Sequence, residues 1–142
     1  MEERMRKGGF TLVELIAVVI ILGILAAVGM PQYRKAMERA RGSEAFSGLQ
    51  NIQEGEKIYY ATNQTYLAPT AIPINAAEQQ KLDISLPMNG WEFGIASTTA
   101  TVDFTATATR KAGQGPCETK TVTVNQAGVL DDSNWKACVD AL

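Results

Sequence analysis

RKGGFTLVELIAVVIILGILAAVGMPQYRK, Arg6 to Lys35, decides how the rest of this 142-residue chain is read. A short charged leader ends at Gly8-Gly9, and Phe10 opens an apolar run that continues to Met30 with one charge, Glu14. As a helix the run rises ~1.5 Å per residue and spans ~30 Å, the thickness of a bilayer core. Nothing in it breaks a helix before Gly29 and Pro31. A carboxylate deep in such a helix costs on the order of 3 kcal/mol, less near its end, so Glu14 calls for a partner. Phe10 and Glu14 stand four residues apart and share a helix face. A cut between Gly9 and Phe10 creates an ammonium that the positive helix end repels and that Glu14, in the same chain or a neighbour, can neutralise.

G-F-T-L-x-E, after a basic leader and before an apolar helix, resembles the class III signal of type IV pilins and the related pseudopilins of type II secretion. On that resemblance Gly9 precedes the prepilin-peptidase cut, and Phe10 is the new N-terminus, N-methylated by the same enzyme. Glu14 is the acidic residue needed for assembly. Gly23 and Pro31 also fall where the family has Gly and Pro. The motif resemblance covers Met1 to about Arg41; beyond that it is one of architecture. An ordinary secretory signal, cut among the small residues near Ala26 and Ala27, explains neither Gly-Gly-Phe nor Glu14. A plain membrane anchor explains them no better.

After Pro31 the pattern turns amphipathic. Tyr33, Met37, Ala40, Phe46, Leu49, Ile52 and Tyr59 recur at spacings near three and four. Arg34, Lys35, Glu38, Arg39, Glu44, Glu54, Glu56 and Lys57 lie between them as a solvated face. One helix is therefore expected from Phe10 to Tyr60, ~75 Å long, with its first half projecting from the globular part. Gly23, Gly29 and Pro31 mark an expected kink or local unwinding, and Gly42, Gly48 and Gly55 lower helix propensity. The Lys and Arg that follow the apolar run count against an inside N-terminus. The resemblance nevertheless puts the N-terminus inside, with Arg34, Lys35, Arg39 and Arg41 beside lipid headgroups.

Residues 61–89 carry loop signals, with a short helix expected at Ala76–Leu82. The period then becomes two. Trp91, Phe93 and Ile95 form one alternating run, Val102, Phe104, Ala106 and Ala108 a second, Val122 and Val124 a third. A turn at 125–128 leads to Val129-Leu130. These read as three to four short antiparallel strands with one apolar face, set against the second half of the helix. The fold class is α+β, and the resemblance makes it the type IV pilin fold. The expected divisions are a leader at 1–9, a membrane and filament-core helix at 10–31, an amphipathic half at 32–60 and a globular head at 61–142. Within the head, 61–89 connects, 90–130 forms the sheet and 117–138 forms a disulfide-closed loop.

The chain has no His and two Cys far apart, so neither a zinc spacing nor a Ser-His or Cys-His nucleophile pair exists, and no enzyme or cofactor is expected. The net charge of −2, or −3 without the first nine residues, suits nucleic acid poorly. Cys117 and Cys138 are either two free buried thiols or a disulfide. An oxidising location favours the bond, and closing about 22 residues stabilises a fold by on the order of 3 kcal/mol. Type IV pilins have a C-terminal disulfide loop that looks like this one, and the major pseudopilins usually lack it. Asp131, Asp132 and Asn134 offer oxygens for the calcium that pseudopilins bind near here, or simply form a polar turn. The aromatic residues along the helix read as packing.

The resemblance thus implies a structural pilus subunit, polymerised through its N-terminal helix for adhesion, motility or DNA uptake. The alternatives are a secretion pseudopilin or a minor DNA-binding competence pilin. Its implied partners are copies of itself, minor pilins, a prepilin peptidase, an inner-membrane assembly platform with an ATPase motor, and the membrane before assembly. The implied location is the inner membrane, then the cell surface.

Overall fold

The computed structural model describes residues 9–67, 72–97, 99 and 101–142; apart from Gly9, the leader lies outside them. Helix α1 runs from Leu12 to Asn63, 52 residues or ~78 Å. It starts two residues later than expected because Thr11 is its N-cap: the Thr11 side chain accepts from Glu14 N–H and the Glu14 carboxylate turns back to Thr11 N–H. Phe10 therefore lies ahead of the helix and does not share a helical face with Glu14. The helix ends three residues later than expected, at a left-handed Gln64 whose N–H bonds to Tyr60 O at 2.8 Å. No residue is unwound at Gly23, Gly29 or Pro31. Pro31 removes only its own N–H, which leaves Ala27 O without its helical donor and the rest of the ladder continuous.

The buried face of α1 is rotated from the expected stripe. Glu38, Gly42, Ala45, Leu49, Ile52 and Glu56 are buried at alternating spacings of four and three, with Gly48 and Gly55 beside them. Tyr33, Met37 and Ala40 are exposed, and Phe46 and Tyr59 are half-buried. Two of the supposed solvated acids are thus interior, and the helical glycines are the places where the head presses closest. A Cβ at Gly42 would meet the Trp135 ring at 2.2 Å, and one at Gly48 would meet the Phe93 ring at 2.4 Å. Exposed Gly→Ala in a helix gains about 1 kcal/mol. Here the sign should reverse: Gly48→Ala is expected to destabilise the head by about 1–3 kcal/mol, measured by chemical unfolding of the full chain in detergent.

Four strands follow: β1 Trp91–Ala96, β2 Thr105–Arg110, β3 Thr121–Asn125 and β4 Leu130–Asp131, in the order β1-β2-β3-β4 and all antiparallel. The period of two turns Trp91, Phe93, Ile95, Ala106, Ala108, Val122 and Val124 onto α1, and all are buried. The small Ala106 and Ala108 in the middle strand let the helix sit close. Arg110, two residues after Ala108 and opposite Trp91, points inward too. Val102 does not belong to the second strand; it is exposed in the turn before Phe104, which is buried.

Two short helices complete the head. Helix α2, Ala76–Lys81, has a capping box between Asn75 and Glu78. Around it, Leu67, Ile74, Leu82 and Leu86 enter the core, so the connecting region is partly interior. Helix α3, Ser133–Asp140, was not expected. It buries Trp135 and Val139 against α1 and the sheet. Trp135 meets Phe46 edge-on at 6.0 Å and Trp91 at 6.4 Å. The segment 117–138 is closed by the Cys117–Cys138 disulfide, and within it lie β3, β4 and most of α3.

Candidate functional site

Two regions carry chemistry. At the N-terminal end, the apolar half of α1 is long and apolar enough to cross a membrane, and none of that window is buried. Every large apolar residue from Leu12 to Met30 faces outward. Glu14 is the only charge among them. Its carboxylate lies 3.5 Å from Thr11 N and 3.4 Å from Thr11 Oγ1. Thr11-x-x-Glu14 before an apolar run is the sequence signature of a capping box, so this role of Glu14 is legible in the sequence. Gly9 and Phe10 are exposed ahead of the cap, Phe10 strongly so.

The second region, at the base of the head, is a buried charge cluster. Arg110 and Glu38, both almost fully buried, pair at 3.5 Å. Arg110 also donates to Gly90 O at 2.6 Å and to Gln114 O at 2.5 Å. Its guanidinium lies 5.6 Å from the centre of the Trp91 ring. Arg41 pairs with Glu38 at 3.2 Å and donates to Gln114 O, while its own carbonyl accepts from Trp91 Nε1 at 2.9 Å. Gly115, at φ +145°, brings the 111–120 loop against this cluster; a Cβ there would lie 2.5 Å from Glu38 Oε1. The same loop carries Cys117, bonded to Cys138 of α3 with Cα atoms 5.8 Å apart. Hydrogen bonds from Arg41 and Arg110 to Gln114 O tie the loop to α1 and β2, and the disulfide ties it to α3, so the base of the head is braced from two sides. Glu38 and Arg110 were missed as a pair. The available signal was Arg110 at the inward position of an alternating strand, a buried cation that requires a partner.

A family model described as type IV minor pilin ComP, DNA uptake sequence receptor, matches residues 31–121, more than half of the chain. The chain belongs to the type IV pilin family. A second model, the prokaryotic N-terminal methylation motif, matches residues 4–30 of the same pilin chain. Among its relatives, the type IV major pilin protein PilA of Myxococcus xanthus is 39% identical over 61 residues, 43% of this pilin and 28% of the relative. A fimbrial protein of Neisseria meningitidis serogroup A is 38% identical over 93 residues, 66% of this pilin and 43% of the relative. The type II secretion system core protein G of Pseudomonas aeruginosa is 36% identical over 64 residues, 45% of each. The pilin thus spans less than half the length of each of these relatives.

Two further carboxylate sites in the pilin head bear on the sequence reading. Around the proposed calcium oxygens, Asp131 Oδ1 accepts from Ser133 N–H at 3.0 Å and Asn134 Oδ1 accepts from Thr121 N–H at 3.2 Å. Asp132 is the N-cap residue of α3. The Asp131 and Asn134 oxygens serve the start of α3 and its join to β3, and the Ser133 bonds hold the Asp131 carboxyl below its ordinary range. Among the described residues no group of His, Cys, Asp and Glu is arranged to hold a metal.

Glu56 is the other. Its Oε2 accepts from Leu67 N–H at 2.8 Å, while Oε1 is buried without a partner. Burial pushes its carboxyl up to about 7, against the lowering effect of the Leu67 bond. The folded state therefore holds a proton that the unfolded chain has released above about 4.5. This contribution is complete below the unfolded value and is lost as pH rises through about 7. The expected result is a melting temperature that falls between about pH 5 and pH 8 by the equivalent of on the order of 2–3 kcal/mol. Glu56→Gln should flatten that slope. An equally steep slope in the variant would remove Glu56 as its origin.

Proposed function

We propose that this pilin is a non-catalytic structural subunit of a type IV pilus. It is cut after Gly9, N-methylated at Phe10, held in the inner membrane by α1 and then polymerised into a surface filament. The observation that carries this reading is the contrast within one helix. From residue 38 onward one face of α1 is covered by the head, while the half before Met30 is apolar, wholly uncovered and headed by Glu14. Lipid covers that half in the monomer and neighbouring helices cover it in a filament. The two settings are similarly apolar, so transfer brings little net hydrophobic gain. Polymerisation then depends on geometry, on Glu14 meeting a neighbour's Phe10 ammonium, and on an assembly platform with an ATPase motor. Prepilin peptidase and minor pilins complete the partners. Intact mass of the protein sheared from cells tests the processing: it should begin at Phe10 and carry one methyl group. A start near Val28 would exclude this reading.

A second reading, a minor competence pilin that binds DNA, is favoured by the family match over residues 31–121. The acidic net charge works against it. Mobility shift of labelled duplexes at two salt concentrations separates them. Sequence-selective retardation supports the DNA reading, and none at low salt removes it. A pseudopilin role, suggested by the Pseudomonas relative, predicts a secretion defect without surface filaments.

A further inference from the structure

We propose that the underside of the head is a binding site for the phosphate of an anionic phospholipid. The proposal rests on the membrane-spanning reading of α1. Two adjoining open cavities lie where α1 leaves its apolar half. One, of about 320 Å³, is lined by Pro31, Gln32, Lys35, Arg39 and Leu142. The other, of about 210 Å³, is lined by Met30, Pro31, Arg34 and Leu142. They share Pro31, just past the apolar run, and Leu142 of the head, and their cationic rim begins one turn beyond Met30. At ~1.5 Å per residue, Arg34 and Lys35 stand ~6–8 Å past Met30, at the depth of lipid headgroups, and Arg39 stands ~14 Å past it.

The three cations are only partly used by the protein. Arg34 is exposed and has no partner among the described residues. Lys35 Nζ donates to Asp140 O at 3.3 Å. Arg39 pairs with Asp140 at 3.8 Å and keeps a side chain 62% exposed. Lys has three donors and Arg five, so each retains N–H groups after serving the end of α3. Arg41, by contrast, is turned inward to Glu38 and Gln114 and takes no part. A phosphate bridging Arg34 and Lys35 would satisfy donors that now face solvent, and the adjoining Met30 and Pro31 would meet the first acyl carbons. The position also accounts for cations on the side that the positive-inside rule disfavours, because they answer a local headgroup charge.

The test is to mix the full chain in neutral detergent with phosphatidylglycerol or phosphatidylcholine and count retained lipid by native mass spectrometry. Phosphatidylglycerol should be retained in preference. Each cation near an anionic surface contributes about fivefold, so Arg34→Gln should lower retention about fivefold and Arg34→Gln with Lys35→Gln about twenty-five-fold. Arg34 is exposed and makes no hydrogen bond or ion pair among the described residues, so its variant should keep the fold, checked by unchanged tryptophan fluorescence. Equal retention of both lipids, or no loss in the double variant, would overturn the site. Displacement of the lipid by excess inorganic phosphate would make it a free-anion site and overturn the lipid assignment. A chain that stays out of micelles altogether would instead sink the membrane-spanning reading.

Discussion

Glu14→Val is expected to abolish filament incorporation while cleavage after Gly9 continues, because the scissile bond lies several residues from the change. Loss of a carboxylate from the apolar helix makes the monomer easier to keep in lipid. In the proposed filament the same loss would leave the neighbour's ammonium buried without a partner, at a cost of about 3–5 kcal/mol for each subunit. The capping box complicates the valine result, since Glu14 also holds Thr11 N–H. Glu14→Gln separates the two roles. Gln at the third helical position still completes a capping box, yet it carries no charge. If the ion pair matters, Gln should fail nearly as Val does; if only the cap matters, Gln should assemble normally. The measurement is the ratio of sheared surface subunit to membrane-bound subunit, with each variant as the sole copy. Normal filament yield from the Val strain would remove Glu14 from the mechanism.

The second large effect belongs to the head. Glu38→Ala should destabilise it by about 3–5 kcal/mol, because Arg110 is left buried with a full charge and only carbonyl acceptors. Domains of this kind hold about 5–15 kcal/mol in all, so the loss is a large share. Arg110→Met should cost a comparable amount by isolating Glu38 with Arg41 alone. Glu38→Ala combined with Arg110→Met should cost clearly less than the two single changes added together, since neither partner is left as an unpaired buried charge. Unfolding of the full chain in detergent, followed by Trp91 and Trp135 fluorescence, gives all the values. Strict additivity would show that the pair is not coupled and that the cluster acts only by filling space.

Much of the architecture follows from local pattern. The apolar run of α1, the short helix after residue 75 and the alternation of the strands are decided by neighbours in the chain, and apart from Val102 they appear near where the spacing puts them. The misreadings share a different cause. Glu38 and Glu56 stand between the apolar positions of the helix pattern, and only the distant Arg110 and Leu67 N–H explain why the interior accepts them. Gly42 and Gly48 looked like weaknesses in a helix, whereas they are the seats of the Trp135 and Phe93 rings. Helix α3 was hidden because eight residues give too short a period to read, although Trp135, Cys138 and Val139 fall on one face.

By itself, then, the sequence determined that a long helix begins near Phe10 with an uncovered apolar half, that a small antiparallel sheet covers its other half, and that the acid at position 14 needs a partner. Each of these depends on periodicity, length or the desolvation of one charge, all local quantities. Tertiary structure alone decided which way the covered half of the helix is turned, which carboxylates are interior, and what the disulfide joins. Those depend on groups such as Glu38 and Arg110, 72 residues apart, whose attraction exists only once the backbone has brought them together.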